Sequence, residues 1–330
     1  MSQRTIAACR GVAFVGLPLG IVVAALFVGS ADLAPSAVWH GLLGDADPTV
    51  TAIVRDLRVP RVLLAFLVGG SLAVTGAVLQ VLVRNPLADP YLLGLSGGAG
   101  LGAVSAIALG LAGAWGVPLA ALAGAVVAVL VVYRLAIVAG SLLDTRVLLL
   151  AGVVVGAFGI ALMGAIMALS SAAEVRNALL WILGSFSGAS WQSVTVFGVY
   201  ASLPLAALFL LSRPMDLLAL GEEPARFLGA NVEWLKRVLY GTASALTAAA
   251  VAVSGIIGFV GIVVPHAVRL TSGHAHRTLL PLAFLVGGVL MVVADAVARG
   301  AFAPLELPVG VVTALIGVPA FLVLVRRWTS

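Results

Sequence analysis

Charge is scarce in this sequence: 9% of its 330 residues are Asp, Glu, Lys or Arg, against 62% that are hydrophobic. A soluble globular domain carries about a quarter charged residues, so there are too few here to cover a solvated surface. A mean hydropathy of +1.20 agrees. Cysteine is almost missing as well, and Cys9 alone excludes an intrachain disulfide and a thiolate metal cluster. The one lysine, Lys236, sits in Glu-Trp-Leu-Lys-Arg, whereas a P-loop needs lysine directly after glycine. The chain therefore lacks the usual means of hydrolysing ATP. The carboxylates avoid the middles of the apolar runs: Asp89, Asp144, Glu174, Asp216, Asp295 and Glu306 fall at run ends or in loops. Ion-coupled carriers place ionisable groups within their spans, so this distribution argues against one.

What is present is a series of apolar runs. Each has the roughly 18 or more residues that cross a hydrocarbon core of about 30 Å as a helix, and none alternates as a barrel strand does. Ten spans are predicted, at 12–30, 61–83, 92–112, 116–139, 147–169, 191–212, 237–254, 256–270, 279–298 and 309–325, the eighth being short and interrupted by Pro265. The run after the basic first ten residues is longer than a signal-peptide core of about 7–15 residues, so it reads as a retained first helix. Glu174–Phe186 is amphipathic and too short to cross, as in a re-entrant or surface helix.

The net charge of +5 does not mark a nucleic-acid binder, because the basic residues stand singly at span ends. With both termini inside, 13 of the 18 Lys and Arg residues lie inside and 5 outside, the latter being Arg55, Arg58, Arg61, Arg176 and Arg299. The positive-inside rule favours that orientation. Trp39, Trp115, Trp181, Trp191, Trp234 and Trp328 fall near the ends of spans, as an aromatic belt requires.

The longest inward segment, Arg213–Arg237, carries Asp216, Glu222, Glu223, Arg226, Glu233, Lys236 and Arg237, and has the length of two short helices with a turn at Gly221 or Gly229. Any coupling to ATP must come from a second polypeptide, and this is the place for it to dock. The other loops are short and leave no room for a separate soluble domain. His274-Ala-His276 reads as inside charge rather than a metal site, and His266 beside Pro265 as a span-end residue. Arg55, Arg58 and Arg61 form a basic knot where the second span begins, with Arg299 at the outer end of the ninth. Such a knot either anchors phospholipid headgroups or receives carboxylates from a docking partner. Glycine is frequent in the spans, where it lets helix backbones approach. The cluster Gly97–Gly102 follows no strand and is not a dinucleotide loop. Leu64–Gly70 reads LAFLVGG and Leu282–Gly288 repeats it. The echo is open to two readings, an inverted repeat of the transporter kind or the small alphabet of membrane helices.

Several of these segments resemble the FecCD/BtuC-type permeases, the membrane subunits of importers for iron siderophores, haem and vitamin B12. They are Arg58-Val-Pro-Arg61, Gln80, Arg84-Asn85-Pro86-Leu87-Ala88-Asp89-Pro90, Leu93–Ala99, Arg213-Pro214-Met215 with Leu218–Glu222, Gly255–Gly261 to Pro265-His266, His276-Arg277 with Leu279-Leu280-Pro281, Ala294-Asp295 to Ala298-Arg299, and Glu306–Gly310. The likeness runs in order along nearly the whole chain. It implies an all-α, BtuC-like type II permease, one transmembrane domain over 1–330 with a coupling loop at 213–237. It implies a homodimer with the path along its axis, two ATPase subunits below and a substrate-binding protein above. No cofactor is expected on this chain; ATP and Mg belong to the ATPase. The loop matching Met215, Leu218, Ala219, Leu220, Gly221, Glu222, Arg226 and Leu228 is expected to dock the ATPase, and Arg58, Arg61 and Arg299 the binding protein's acidic residues. Asp144 and Thr145 match a cytoplasmic gate, though Asp144 departs from the small hydroxyl residues of the family.

The reading is thus a non-enzymatic, binding-protein-dependent ABC importer permease in a bacterial inner membrane, N- and C-termini cytoplasmic. It carries an iron chelate (haem or a ferric siderophore) or cobalamin by ATP-driven alternating access. The alternatives are a secondary carrier or channel working without an ATPase, and a membrane scaffold.

Overall fold

The computed structural model describes residues 16–111, 115–138 and 145–329, and these contain helices, turns and loops with no strand. Six helices are long and apolar enough to cross a membrane, and four shorter apolar helices accompany them, in the order of the ten expected spans. The elements are α1 (Gly16–Ala25), α2 (Pro35–Leu43), α3 (Pro48–Ala52), α4 (Val59–Val83), α5 (Leu95–Ala108), α6 (Gly116–Val138), α7 (Thr145–Leu169), α8 (Ala172–Ile182), α9 (Trp191–Leu210), α10 (Ser212–Ala219), α11 (Glu222–Phe227), α12 (Val232–Ser254), α13 (Val260–Ser272), α14 (His276–Gly300) and α15 (Val309–Thr329).

Helix α4 is the centre of the bundle. It packs on α14, α12, α13 and α9, and 83% of its most apolar window is buried, against 22–28% for α6, α7 and α9, which form the periphery. The second span is longer than its apolar run. Residues Pro48–Val83 form one continuous helix of 36 residues, about 54 Å long at 1.5 Å per residue, so it projects well beyond a hydrocarbon core. The sequence boundary at Arg61 marks only where charge ends. Pro60 is tolerated because the turn before it, Ile53–Arg58, is wound as a π-helix in which the Val59 N–H reaches back to Val54 O. That wide turn makes room for a ring that would otherwise clash with the preceding carbonyls.

The LAFLVGG repeat is a pair in space. Helices α4 and α14 cross antiparallel, with Gly69 against the Gly287 carbonyl and Gly287 against that of Gly69. A Cβ on Gly70 would strike the Phe284 ring, and one on Gly288 the Phe66 ring. The two phenylalanines meet edge to face, centroids 5.8 Å apart. Each copy thus supplies the same residues to the other, a local two-fold relation that coincidence of alphabet does not require. Glycine is needed because the opposing surface is backbone, which cannot yield as a side chain can.

The eighth span is a half-helix. Its 13 residues cover about 20 Å, and Gly255–Phe259 complete the crossing without helical bonds. Irregular backbone at membrane depth must find protein partners, and it does: Tyr91 Oη donates to Ile257 O at 3.2 Å and accepts from Ile257 N at 3.0 Å, and Ser185 N donates to Ser254 O at 2.8 Å. The amphipathic stretch expected at 174–186 is α8, begun by a capping box in which Ser171 and Glu174 bond reciprocally.

Candidate functional site

One end of the bundle carries α10 and α11, and its surface divides sharply. Ser212, Met215 and Leu218 of α10 and Ala225 of α11 are buried against the bundle. Leu220, Phe227 and Leu228 stand out, Phe227 being 90% exposed. Gly221 lies at φ +121°, where it caps α11 and where a side chain would be strained. Of the eight residues expected to contact an ATPase, Ala219, Leu220, Arg226 and Leu228 are exposed, whereas Met215, Leu218 and Gly221 fix the fold of the loop from below. Glu222 faces inward and pairs with Lys236 Nζ at 2.8 Å, tying α11 to the first turns of α12. The most exposed large side chain of this loop, Phe227, was missed by sequence reasoning. The signal was available: an aromatic beside Leu228 in a charged, Gly-flanked loop has no neighbouring apolar run to bury it.

At the opposite end, the arginine knot is internal. Arg58, 5% exposed, donates from Nη1 to Leu26 O at 2.9 Å and from Nη2 to Ala31 O at 2.7 Å, capping the chain after α1. Arg61 clasps Asp295 at 3.0 Å and Glu306 at 2.8 Å. Arg299, 2% exposed, approaches Asp295 at 2.9 Å and donates to Val28 O and Ala25 O. Arg58 and Arg299, two of the three arginines expected to meet a binding protein, lie under the surface, and every guanidinium of the trio is bonded within the chain. Composition gives no sign of the carbonyls and carboxylates waiting there. Arg55 is the exposed member of the knot, its Nη2 donating to Leu42 O at 2.8 Å.

Between these ends, the loop after α4 holds Asp89, whose Oδ1 accepts from Tyr91 N at 2.8 Å. Burial pushes its carboxyl up to about 6, against the lowering effect of that bond. Of the two expected gate residues, Thr145 opens α7 and Asp144 lies outside the described residues. Among the described residues, no group of three or more His, Cys, Asp or Glu side chains is arranged to hold a metal ion.

Comparison with known proteins agrees with the architecture. The model of the FecCD transport family matches residues 17–327. The chain is 46% identical over 281 residues to the cobalamin import system permease protein BtuC of Halobacterium salinarum, covering 84% of this chain and 74% of that protein. It is 44% identical over 279 residues to the vitamin B12 import system permease protein BtuC of Salmonella arizonae, covering 83% of each. It is 40% identical over 301 residues to the ABC transporter permease protein YvrB of Bacillus subtilis, whose function is uncharacterised, covering 88% and 84%. A solved structure of an ABC transporter assigned to the metal-chelate type, in an inward-facing conformation, superposes with a TM-score of 0.86 at 30% identity, covering 96% of this chain and 98% of that one. With a multi-span apolar bundle and a family match along nearly its whole length, this chain belongs to the FecCD transport family and is a membrane permease of the ABC-importer kind.

Proposed function

We propose that the chain forms the translocation path for a corrinoid of the cobalamin type, as a homodimer driven by two separate ATPase subunits and fed by a substrate-binding protein. The observation that carries this reading is the exposed apolar face Leu220, Phe227 and Leu228 on a loop locked to the bundle through Glu222 and Lys236. A carrier working alone has no use for such a face, and a nucleotide-driven partner that must push on the bundle needs one. Cobalamin is favoured over an iron chelate because relatives at 44–46% identity bear its name, while the metal-chelate structure is similar at 30%.

The α10–α11 end is assigned to the cytoplasm by the Lys and Arg bias, with the cell's inner membrane as the location. The whole of 1–330 acts as one permease domain, with 213–237 as its coupling segment. Closure of the ATPase dimer around ATP and Mg would move α10 and α11 and bias the bundle between two states. Asp144 and Thr145 are the proposed inner gate, Thr145 being the first residue of α7. The exposed apolar face of α7, with Leu150, Val154 and Phe158, is proposed to meet the second copy and line the axis. On the outer side we assign docking of the binding protein to the rim around Arg55, with Arg58, Arg61 and Arg299 holding that rim in register. Uptake of labelled cobalamin, haem and a ferric siderophore into proteoliposomes, each with its matching binding protein and the ATPase, tests the assignment. Cobalamin accumulation with neither iron species is the expected result; uptake of an iron chelate alone would reverse it.

A further inference from the structure

A cavity of about 520 Å³ with a mixed polar and apolar lining opens at the α10–α11 end, its polar groups supplied by Gln80, Arg84, Asn85, His266, Arg269, His274 and His276. Four segments build it. Helix α4 stops at Arg84, which takes a left-handed φ of +55° and turns the chain away. The last turns of α13 bring His266 and Arg269, the bend after Gly273 brings His274, and α14 begins at His276. The lining is rich in N–H donors and contains no carboxylate. Asp216 lies beside that lining, bonded to His276: its Oδ1 accepts from His276 N at 2.8 Å and lies 2.6 Å from His276 Nδ1.

That second contact fixes the imidazole. A carboxylate can only accept, so Nδ1 carries the proton and Nε2 is left without one. The His276 side chain is 3% exposed, and its buried Nε2 has no hydrogen-bond partner. An unsatisfied buried polar atom costs about 1–3 kcal/mol, and this one belongs to a residue that borders the cavity. Arg84 and Arg269 repel a metal cation from it. An oxyanion suits the cavity, because guanidinium forks match phosphate geometry. Arg269 is already aimed, since its Nη1 is held by Gln80 Oε1, whose amide in turn donates to Gly261 O at 3.1 Å.

We propose that this cavity binds a phosphate oxyanion through Arg84, Arg269, His274 and His276. It takes the anion either from a phospholipid headgroup or from the cytosol, and it lies directly beneath the coupling helices. Only the cytoplasmic placement rests on the transport reading. Occupation would link the C-terminus of α4 to α10 and α14, so the anion would stiffen the element that receives the ATPase stroke.

The test uses the full chain in phosphatidylcholine nanodiscs, titrated with inorganic phosphate against chloride at constant ionic strength, reading the thermal unfolding midpoint. A saturable rise is expected with phosphate and none with chloride. Arg84→Gln and His274→Ala, both at the surface, should each weaken the apparent affinity about tenfold, the loss of one charge-assisted contact. Discs containing phosphatidylglycerol separate the sources. If lipid supplies the phosphate, the midpoint is already raised and free phosphate adds little; if the cytosol does, the two disc types respond alike. No saturable effect, an effect unchanged in both variants, or a response to acetate in place of phosphate would overturn the proposal. The last of these would point to a carboxylate of a partner protein. The assay needs no transport, so its outcome is independent of whether the uptake experiment succeeds.

Discussion

Replacing Asp295 by Asn tests whether the arginine knot is a structural clasp. Asp295 is 1% exposed and receives Arg61 at 3.0 Å and Arg299 at 2.9 Å. Removing one partner of a buried ion pair costs about 3–5 kcal/mol, because the charges left behind stay desolvated. Two features place this site at the lower figure. Arg61 keeps Glu306 at 2.8 Å, and Arg299 keeps the carbonyls of Val28 and Ala25. A loss of about 3 kcal/mol, spread over a chain of 330 residues, lowers the unfolding midpoint by roughly 4 °C, readable by tryptophan fluorescence in nanodiscs. Arg299→Met combined with Asp295→Leu removes the pair together and should recover most of that loss. An unchanged midpoint in Asp295→Asn, accompanied by weaker docking of the binding protein, would refute the clasp and return the arginines to the partner.

Three further outcomes follow from other parts of the fold. Gly287→Ala drives a methyl into the Gly69 carbonyl and Ala73 and should destabilise by about 1–3 kcal/mol; Gly241→Ala, with nothing within 4 Å, should be neutral or stabilising in the same unfolding assay. Phe227→Asp, at a side chain 90% exposed, should leave stability within about 0.5 kcal/mol yet abolish co-purification of the ATPase. Asp89→Asn keeps the cap on Tyr91 N but removes a carboxyl held near 6 by burial. A raised folded-state pKa means the native chain binds the proton more tightly, so Asp89 contributes stability that is lost as pH rises from about 4 to about 6. The variant should flatten that limb of the midpoint-against-pH curve and unfold at a higher temperature at pH 7.

The spans were legible because lipid leaves the chain few choices: long apolar runs must be helices, and ten runs became ten apolar helices. The short eighth run, broken by Pro265, corresponds to the half-helix α13. What the sequence concealed was connection across distance. Nothing near Arg58 in the chain announces Leu26 O or Ala31 O, and nothing near Arg299 announces Val28 O. Two members of the cluster, Arg58 and Arg299, are therefore buried while Arg55 is exposed. The helix of the second span starts earlier than its apolar run for a related reason: charge ends an apolar run, but it does not end a helix that continues outside the membrane. The α10–α11 segment was visible as a charged interruption, and its division into buried Met215 and Leu218 and exposed Phe227 became visible only once α10 had a surface to lie on.

The central claim is that this polypeptide conducts its cargo but does not power the movement. Proteoliposomes carrying the chain with its ATPase and binding protein should accumulate cobalamin when ATP is supplied on the ATPase side. Proteoliposomes with the chain alone should accumulate none under a proton or sodium gradient. Gradient-driven accumulation by the chain alone would contradict the account.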